Sequence, residues 1–117
     1  MGMKSKRKGK TGELELAGEL ARLFGVECRR SQQFCGSDGD ADVVGLPGLH
    51  VECKRTESLR LWAAIEQASS DAAADATPMI CHRANGKPWV AIIRLDDLPS
   101  VAAKLYLTLA ASGRQGG

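Results

Sequence analysis

Several things are missing from this chain, and each absence removes a class of protein. No apolar run approaches the roughly 20 residues that a membrane-spanning helix needs, so no membrane span is expected. The basic N-terminus has no apolar stretch behind it and does not read as a secretory signal, which makes the cytoplasm the expected compartment. Four cysteines, at positions 28, 35, 53 and 81, include no CxxC pair. That spacing suits neither a structural zinc site nor a disulfide framework, so free thiols in a reducing compartment are expected. No internal repeat is visible. The "GKT" at 9–11 lacks the rest of a P-loop, because Lys4 stands where the first glycine belongs and no strand can precede it. A zinc site on Cys81 and His82 has equally little support.

What is present is 117 residues, one domain's length, with a net charge of +2 that hides an asymmetry. Residues 1–10 hold five cations (Lys4, Lys6, Arg7, Lys8, Lys10) and no acid, leaving 11 of the 16 cations against all 14 acids in the rest. The basic character belongs to a flexible N-terminal arm, expected over 1–10. Such an arm can contact phosphates or can simply be a solvated terminus.

Residues 12–24, "GELELAGELARLF", have helical periodicity, with Ala17, Leu20 and Phe24 on one stripe flanked by Leu16 and Leu23. Glu13 falls on the centre line of that apolar stripe. A short strand is expected at 26–30, followed by the polar loop "SQQFCGSDGD". Residues 41–46 and 49–54 read as a hairpin around Leu-Pro-Gly. Residues 59–76 read as an Ala-rich helix, with Ser58 as cap, Pro78 beyond its end and an apolar stripe of Leu61, Trp62, Ile65 and Ala72. "MICHR" and "KPWVAIIR" flank Ala-Asn-Gly, a hairpin signal. A final helix is expected over 97–111 after Asp96, although "LYLTL" alternates like a strand, and the tail 112–117 is expected to be disordered. The order predicts one α/β domain over 11–111 around a mixed sheet.

The hairpin carries charges where a buried strand should hold none. Residues two apart in a strand share a face, so Glu52 and Lys54 point one way and Val51 and Cys53 the other. A three-residue turn centred on Pro47 sets Asp42 opposite Glu52. Two carboxylates and one ammonium then share one sheet face. One lysine cannot neutralise such a group, whereas a hard divalent cation can. Mg²⁺ takes oxygen ligands, commonly one or two carboxylates plus substrate phosphate, and can activate water for attack on phosphorus. The Cys53 backbone carbonyl and Glu13 are further candidate ligands. The bland alternative is a surface salt bridge at a strand end, since ionic clusters are also structural.

At these residues the chain resembles the PD-(D/E)xK nuclease superfamily, in particular the archaeal Holliday-junction resolvases and related small phage or prophage endonucleases. The resemblance rests on "KGKTGELEL", "RRSQQFCG", "DADVVGLPGLHVECKR", "IEQA" and "HRANGKPWV", in that order across about residues 8–92. It implies a restriction-endonuclease-like mixed β-sheet flanked by helices. It also implies Mg²⁺-dependent DNA cleavage, with Mn²⁺ able to substitute, inside a bacterial or phage-infected cell and by a homodimer, as a two-fold junction requires. Glu13 then matches the acid of the first helix, Asp42 the aspartate, and Glu52 and Lys54 the ExK. Ala41 replaces the motif's proline, and Asp38 and Asp40 are rival acids. Gln67 matches a glutamine near the active site, although periodicity alone makes it a surface residue. Arg29, Arg30, Gln32 and Gln33 match a substrate-contacting segment, and with Lys6, Lys8, Lys10 and Arg55 they are the candidate DNA contacts. A non-catalytic nucleic-acid-binding domain on the same fold is the competing expectation. Buried acids count against it, because they repel phosphates.

Overall fold

The computed structural model describes residues 2–31 and 41–113, and of residues 2–8 the backbone alone. Its organising element is the strand Leu49–Arg55, in which apolar and polar side chains alternate. Numbered in chain order, the elements are α1 (Gly2–Phe24), β1 (Arg29–Arg30), β2 (Val43–Val44), β3 (Leu49–Arg55), α2 (Leu61–Asp71), β4 (Thr77–Arg83), β5 (Val90–Ile92) and, after a 3₁₀ turn at Leu95–Asp97, α3 (Leu98–Ser112). The five strands form one sheet in the order β1-β2-β3-β4-β5. Only β3 and β4 are parallel, joined by the α2 crossover; the other pairs are antiparallel. This is the mixed sheet with flanking helices that the sequence leads one to expect.

The β2–β3 turn explains its own sequence. Leu49 N–H donates to the Leu46 carbonyl at 3.2 Å, with Pro47 and Gly48 at the two central positions. Gly48 has φ +80°, the conformation that position demands and that side chains resist. A Cβ there would also lie 2.8 Å from Cδ of Lys104. Lys104 needs that space: its Nζ donates to the carbonyls of Gly48 (3.0 Å) and Asp75 (3.3 Å) and to Thr77 Oγ1 (2.9 Å), tying α3 to the turn.

Leu16, Ala17 and Leu20 of α1 and Val101 of α3 pack with Val43, Leu46, Val51, Met79 and Cys81 into one core. Each large side chain hidden there contributes about 1.5–3 kcal/mol. The opposite sheet face is covered by α2 through Ala64 and Ala68.

α1 and α2 depart from expectation. α1 starts at Gly2 rather than near residue 12, so residues 2–10 continue the helix backward; lysine and arginine are good helix formers. Leu23, expected beside the apolar stripe, is 48% exposed. α2 runs only from Leu61 to Asp71, Arg60 rather than Ser58 takes the cap position, and Pro78 lies inside β4 instead of ending the helix. Pro78 precedes the β4 positions that pair with β5, which begin at Ile80, so its missing N–H costs that ladder nothing. α3 is a helix despite its strand-like alternation. Gly113 closes it at φ +76°, a left-handed cap. Residues 114–117 lie outside the described residues.

Candidate active site

The pair Val43↔Val51 fixes the β2–β3 register, and Asp42 N–H donates to the Val51 carbonyl at 2.9 Å. The same register sets Asp42 across from Glu52, as the turn length predicts. At Asp42 the chain leaves the sheet, and its carboxylate takes over the work of the ladder: Oδ2 accepts the Cys53 backbone N–H at 2.8 Å. The N–H and C=O of one strand residue point to the same neighbour. The Cys53 carbonyl therefore also faces the side where β2 ends, which keeps it a candidate oxygen ligand.

Glu52 is buried, and so is the residue two before it. His50 is 2% and Glu52 6% exposed, and His50 Nε2 lies 2.8 Å from Glu52 Oε1. The two carboxyls divide their protonation. Burial, followed by the hydrogen bond to Glu52, pushes Asp42 up to about 7, against the pull of the Cys53 N–H; the charges of Glu52 and Glu13 add to the rise. Burial acts to raise Glu52 as well, but hydrogen bonds from His50 and Asp42 and the charges of His50 and Lys54 outweigh it and hold Glu52 below its usual value. When Asp42 holds its proton, it can donate to the Glu52 carboxylate. Lys54 stands on the same face and its charge is felt at Glu52.

The structure therefore brings Asp42, Glu52 and Lys54 together, and it adds His50. No expectation from the sequence included His50, although its place two residues before Glu52 in a strand puts it on the same face.

Glu13 is placed differently. Gly12 lets α1 press onto β3: a Cβ at Gly12 would meet Arg55 Cβ at 2.6 Å. This close approach brings Glu13 near enough for its charge to act on Asp42. Its carboxylate nevertheless accepts from Arg30 Nε at 2.9 Å. Among the described residues, no three His, Cys, Asp or Glu side chains gather into a metal cage. As a metal ligand, then, Glu13 is not assembled with Asp42 and Glu52; an arginine neutralises it where a third carboxylate would meet only repulsion. Cys81 and His82 alternate to opposite faces of β4. Cys81 lies in the core, and His82 Nε2 donates to the Thr56 carbonyl at 2.9 Å. Burial pushes the Cys81 thiol up to about 12; burial, with nearby Asp42 and Glu13, does the same to Cys53.

The remaining candidates are scattered. Gln67 is exposed on α2, next to the inward-facing Ala68. Arg55 faces inward. Its guanidinium donates to the Arg83 carbonyl (3.3 Å) and Asn85 Oδ1 (3.0 Å) and pairs with Glu15 (3.4 Å), which also binds Arg83 at 2.7 Å. Arg29 and Lys10 are exposed. Gln32 and Gln33 lie outside the described residues, as do the side chains of Lys6 and Lys8.

The donor set suits a hard cation. Two opposed carboxylates and a backbone carbonyl supply oxygen only. Two protein carboxylates, with water filling the other positions, is how Mg²⁺ is ordinarily held.

Residues 4–112 match the model of a family described as "Phage putative PDDEXK endonuclease". The chain belongs to this family. In the parallel comparisons no curated protein and no solved structure matches it. The PD-(D/E)xK assignment agrees with the five-stranded mixed sheet and its flanking helices. Among the described residues, no helix of this family member is long and apolar enough to cross a membrane.

Proposed function

We propose that this chain is a Mg²⁺-dependent DNA endonuclease that hydrolyses phosphodiester bonds in branched DNA, in the manner of a Holliday-junction resolvase. The observation that carries the reading is the opposed pair of half-buried Asp42 and buried Glu52, with Lys54 on the same face. Asp42, Glu52 and the Cys53 carbonyl would hold the ion, and Mn²⁺ can substitute for it. Bound there, the ion would act as a Lewis acid toward phosphate and make its water more acidic. The chain's own residues do the rest. Lys54 offers an ammonium to the charge that builds on the phosphate oxygens. Glu13 supports the site from α1. Gln67 is assigned to it on the motif resemblance alone.

Lys6, Lys8 and Lys10 on α1, with Arg29, Arg30, Gln32 and Gln33, supply the DNA contacts. Arg30 would exchange Glu13 for phosphate. Arg55 contributes chiefly by bracing β3 against α1. A homodimer would place two such sites on a two-fold substrate. Exposed Trp62 and Leu95 beside the outer strand β5 support that pairing. The cytoplasm of a bacterial or phage-infected cell is the place where this substrate occurs.

The test is a panel of labelled junction, flap, duplex and single-stranded DNA, incubated with Mg²⁺ and with EDTA. Junction cleavage in Mg²⁺ alone, faster than duplex cleavage, is expected. Binding without cleavage of any substrate in Mg²⁺ or Mn²⁺ would instead make the chain a non-catalytic DNA-binding domain.

A further inference from the structure

We infer that His50 is a positioning residue that fixes the carboxylate of Glu52 for metal binding; this rests on the metal-site reading above. A glutamate carboxylate turns easily about its terminal bond, where the torsional wells are broad. At Glu52 it cannot turn freely. One oxygen, Oε1, is 2.8 Å from His50 Nε2, with both side chains buried. A carboxylate oxygen can only accept, so Nε2 carries the proton. Rotation would break a buried hydrogen bond and leave the His50 donor without its carboxylate partner. Holding Oε1 also sets the direction of Oε2.

The choice of residue supports the role. Position 50 lies inside a strand, 2% exposed, where an apolar side chain would fill the space without a desolvation cost. A histidine there makes sense if its donor is needed. Partners of this kind, hydrogen-bonded to ligating carboxylates, commonly change metal affinity 10- to 100-fold when they are lost.

The experiment reads metal binding without DNA or turnover. Thermal stabilisation is titrated against Mn²⁺ for the wild-type protein and for His50→Gln, His50→Asn and Glu52→Gln. The glutamine amide nitrogen reaches about as far as Nε2, and the asparagine nitrogen falls short. Half-maximal stabilisation should stay close to wild type in His50→Gln, require about tenfold more Mn²⁺ in His50→Asn, and be lost in Glu52→Gln. Similar titrations for both His50 variants, whether both match wild type or both are weakened, would overturn the positioning role. No response in the wild-type protein would overturn the metal-site reading itself. A measurement that needs no variant accompanies these. The ¹⁵N spectrum of His50 in the protein loaded with diamagnetic Mg²⁺ should show Nε2 protonated; a bare Nε2 would sink the inference whatever the variants do.

Discussion

Val51 and Glu52 are neighbours in one strand and are hidden almost equally, at 1% and 6% exposed. They are hidden among different company. Val51 faces α1 and α3 among Leu16, Leu20, Met79 and Val101. Glu52 faces His50, Asp42 and Lys54. Burial alone does not distinguish a core from a site. The two-residue period of the strand does, because one backbone presents apolar surface to one layer and charge to the other. The apolar face gives the charged face its rigidity, and the two should therefore fail in different ways when altered.

The largest effects are expected on the charged face. Glu52→Gln or Asp42→Asn should cut Mg²⁺-dependent cleavage by about 10³-fold or more, since a metal's stabilisation of the reacting phosphate is worth several kcal/mol and each 1.36 kcal/mol is a decade in rate. DNA binding should persist or tighten, because a negative charge facing phosphate has gone. Full cleavage by either variant, measured in single-turnover assays, would remove the residue from the site. Lys54→Ala should slow the same assay by about 10²- to 10³-fold, the usual loss for one group aimed at developing charge. Its binding should fall by much less. Equal falls in rate and binding would make Lys54 a simple phosphate contact.

The apolar face should show the reverse pattern. Val51→Ala removes two methyl groups and leaves a cavity, together worth about 2 kcal/mol. Thermal midpoint should drop by about 8 °C in a domain of this size. Single-turnover cleavage well below that midpoint should be nearly unchanged. A large loss of rate in a folded Val51→Ala protein would mean that the two faces are coupled through the strand more tightly than the alternation suggests.

What could be read from the sequence follows from the range of the interaction involved. The opposition of Asp42 and Glu52 was legible because a Pro-Gly turn fixes the register over ten residues. The inward face of α2 was not. Periodicity favours its large apolar residues, Leu61, Trp62 and Ile65, yet the helix buries Ala64 and Ala68 and leaves Trp62 72% exposed. Small residues let a helix lie close to a sheet, and a stripe judged by size points elsewhere. Helix phase put Glu13 on the centre line of the apolar stripe, where the fold leaves it half-buried; its partner Arg30 sits 17 positions away on another element, and no local pattern pairs them. Arg55 looks like a phosphate contact in the string, and only the fold shows Glu15 and Asn85 beside it. His50 was within reach, since the alternation that links Glu52 with Lys54 extends back to it.

The smallest effect concerns stability and pH, and it separates the two faces once more. An aspartate whose carboxyl is raised from 3.8 to about 7 in the folded protein prefers to keep its proton there. Its contribution to stability is complete below the ordinary aspartate value and is lost as pH rises toward 7 and through it. Glu52, held below its usual value, acts in the opposite sense and loses its contribution as pH falls. The metal-free protein should therefore be more stable near pH 5 than near pH 8. The difference should be smaller than the loss from Val51→Ala, because Asp42 is only partly buried and solvent screens its share. Divalent metal needs the ionised carboxylates, so the rise in thermal midpoint on adding Mg²⁺ should be slight at pH 5 and grow as pH passes 7. Asp42→Asn should flatten both trends, whereas Val51→Ala should shift the whole curve down and keep its shape. Thermal melts from pH 5 to 8, with and without Mg²⁺, measure this directly. A wild-type protein whose metal-free stability rises steadily across that range would show that Asp42 does not hold the shared proton.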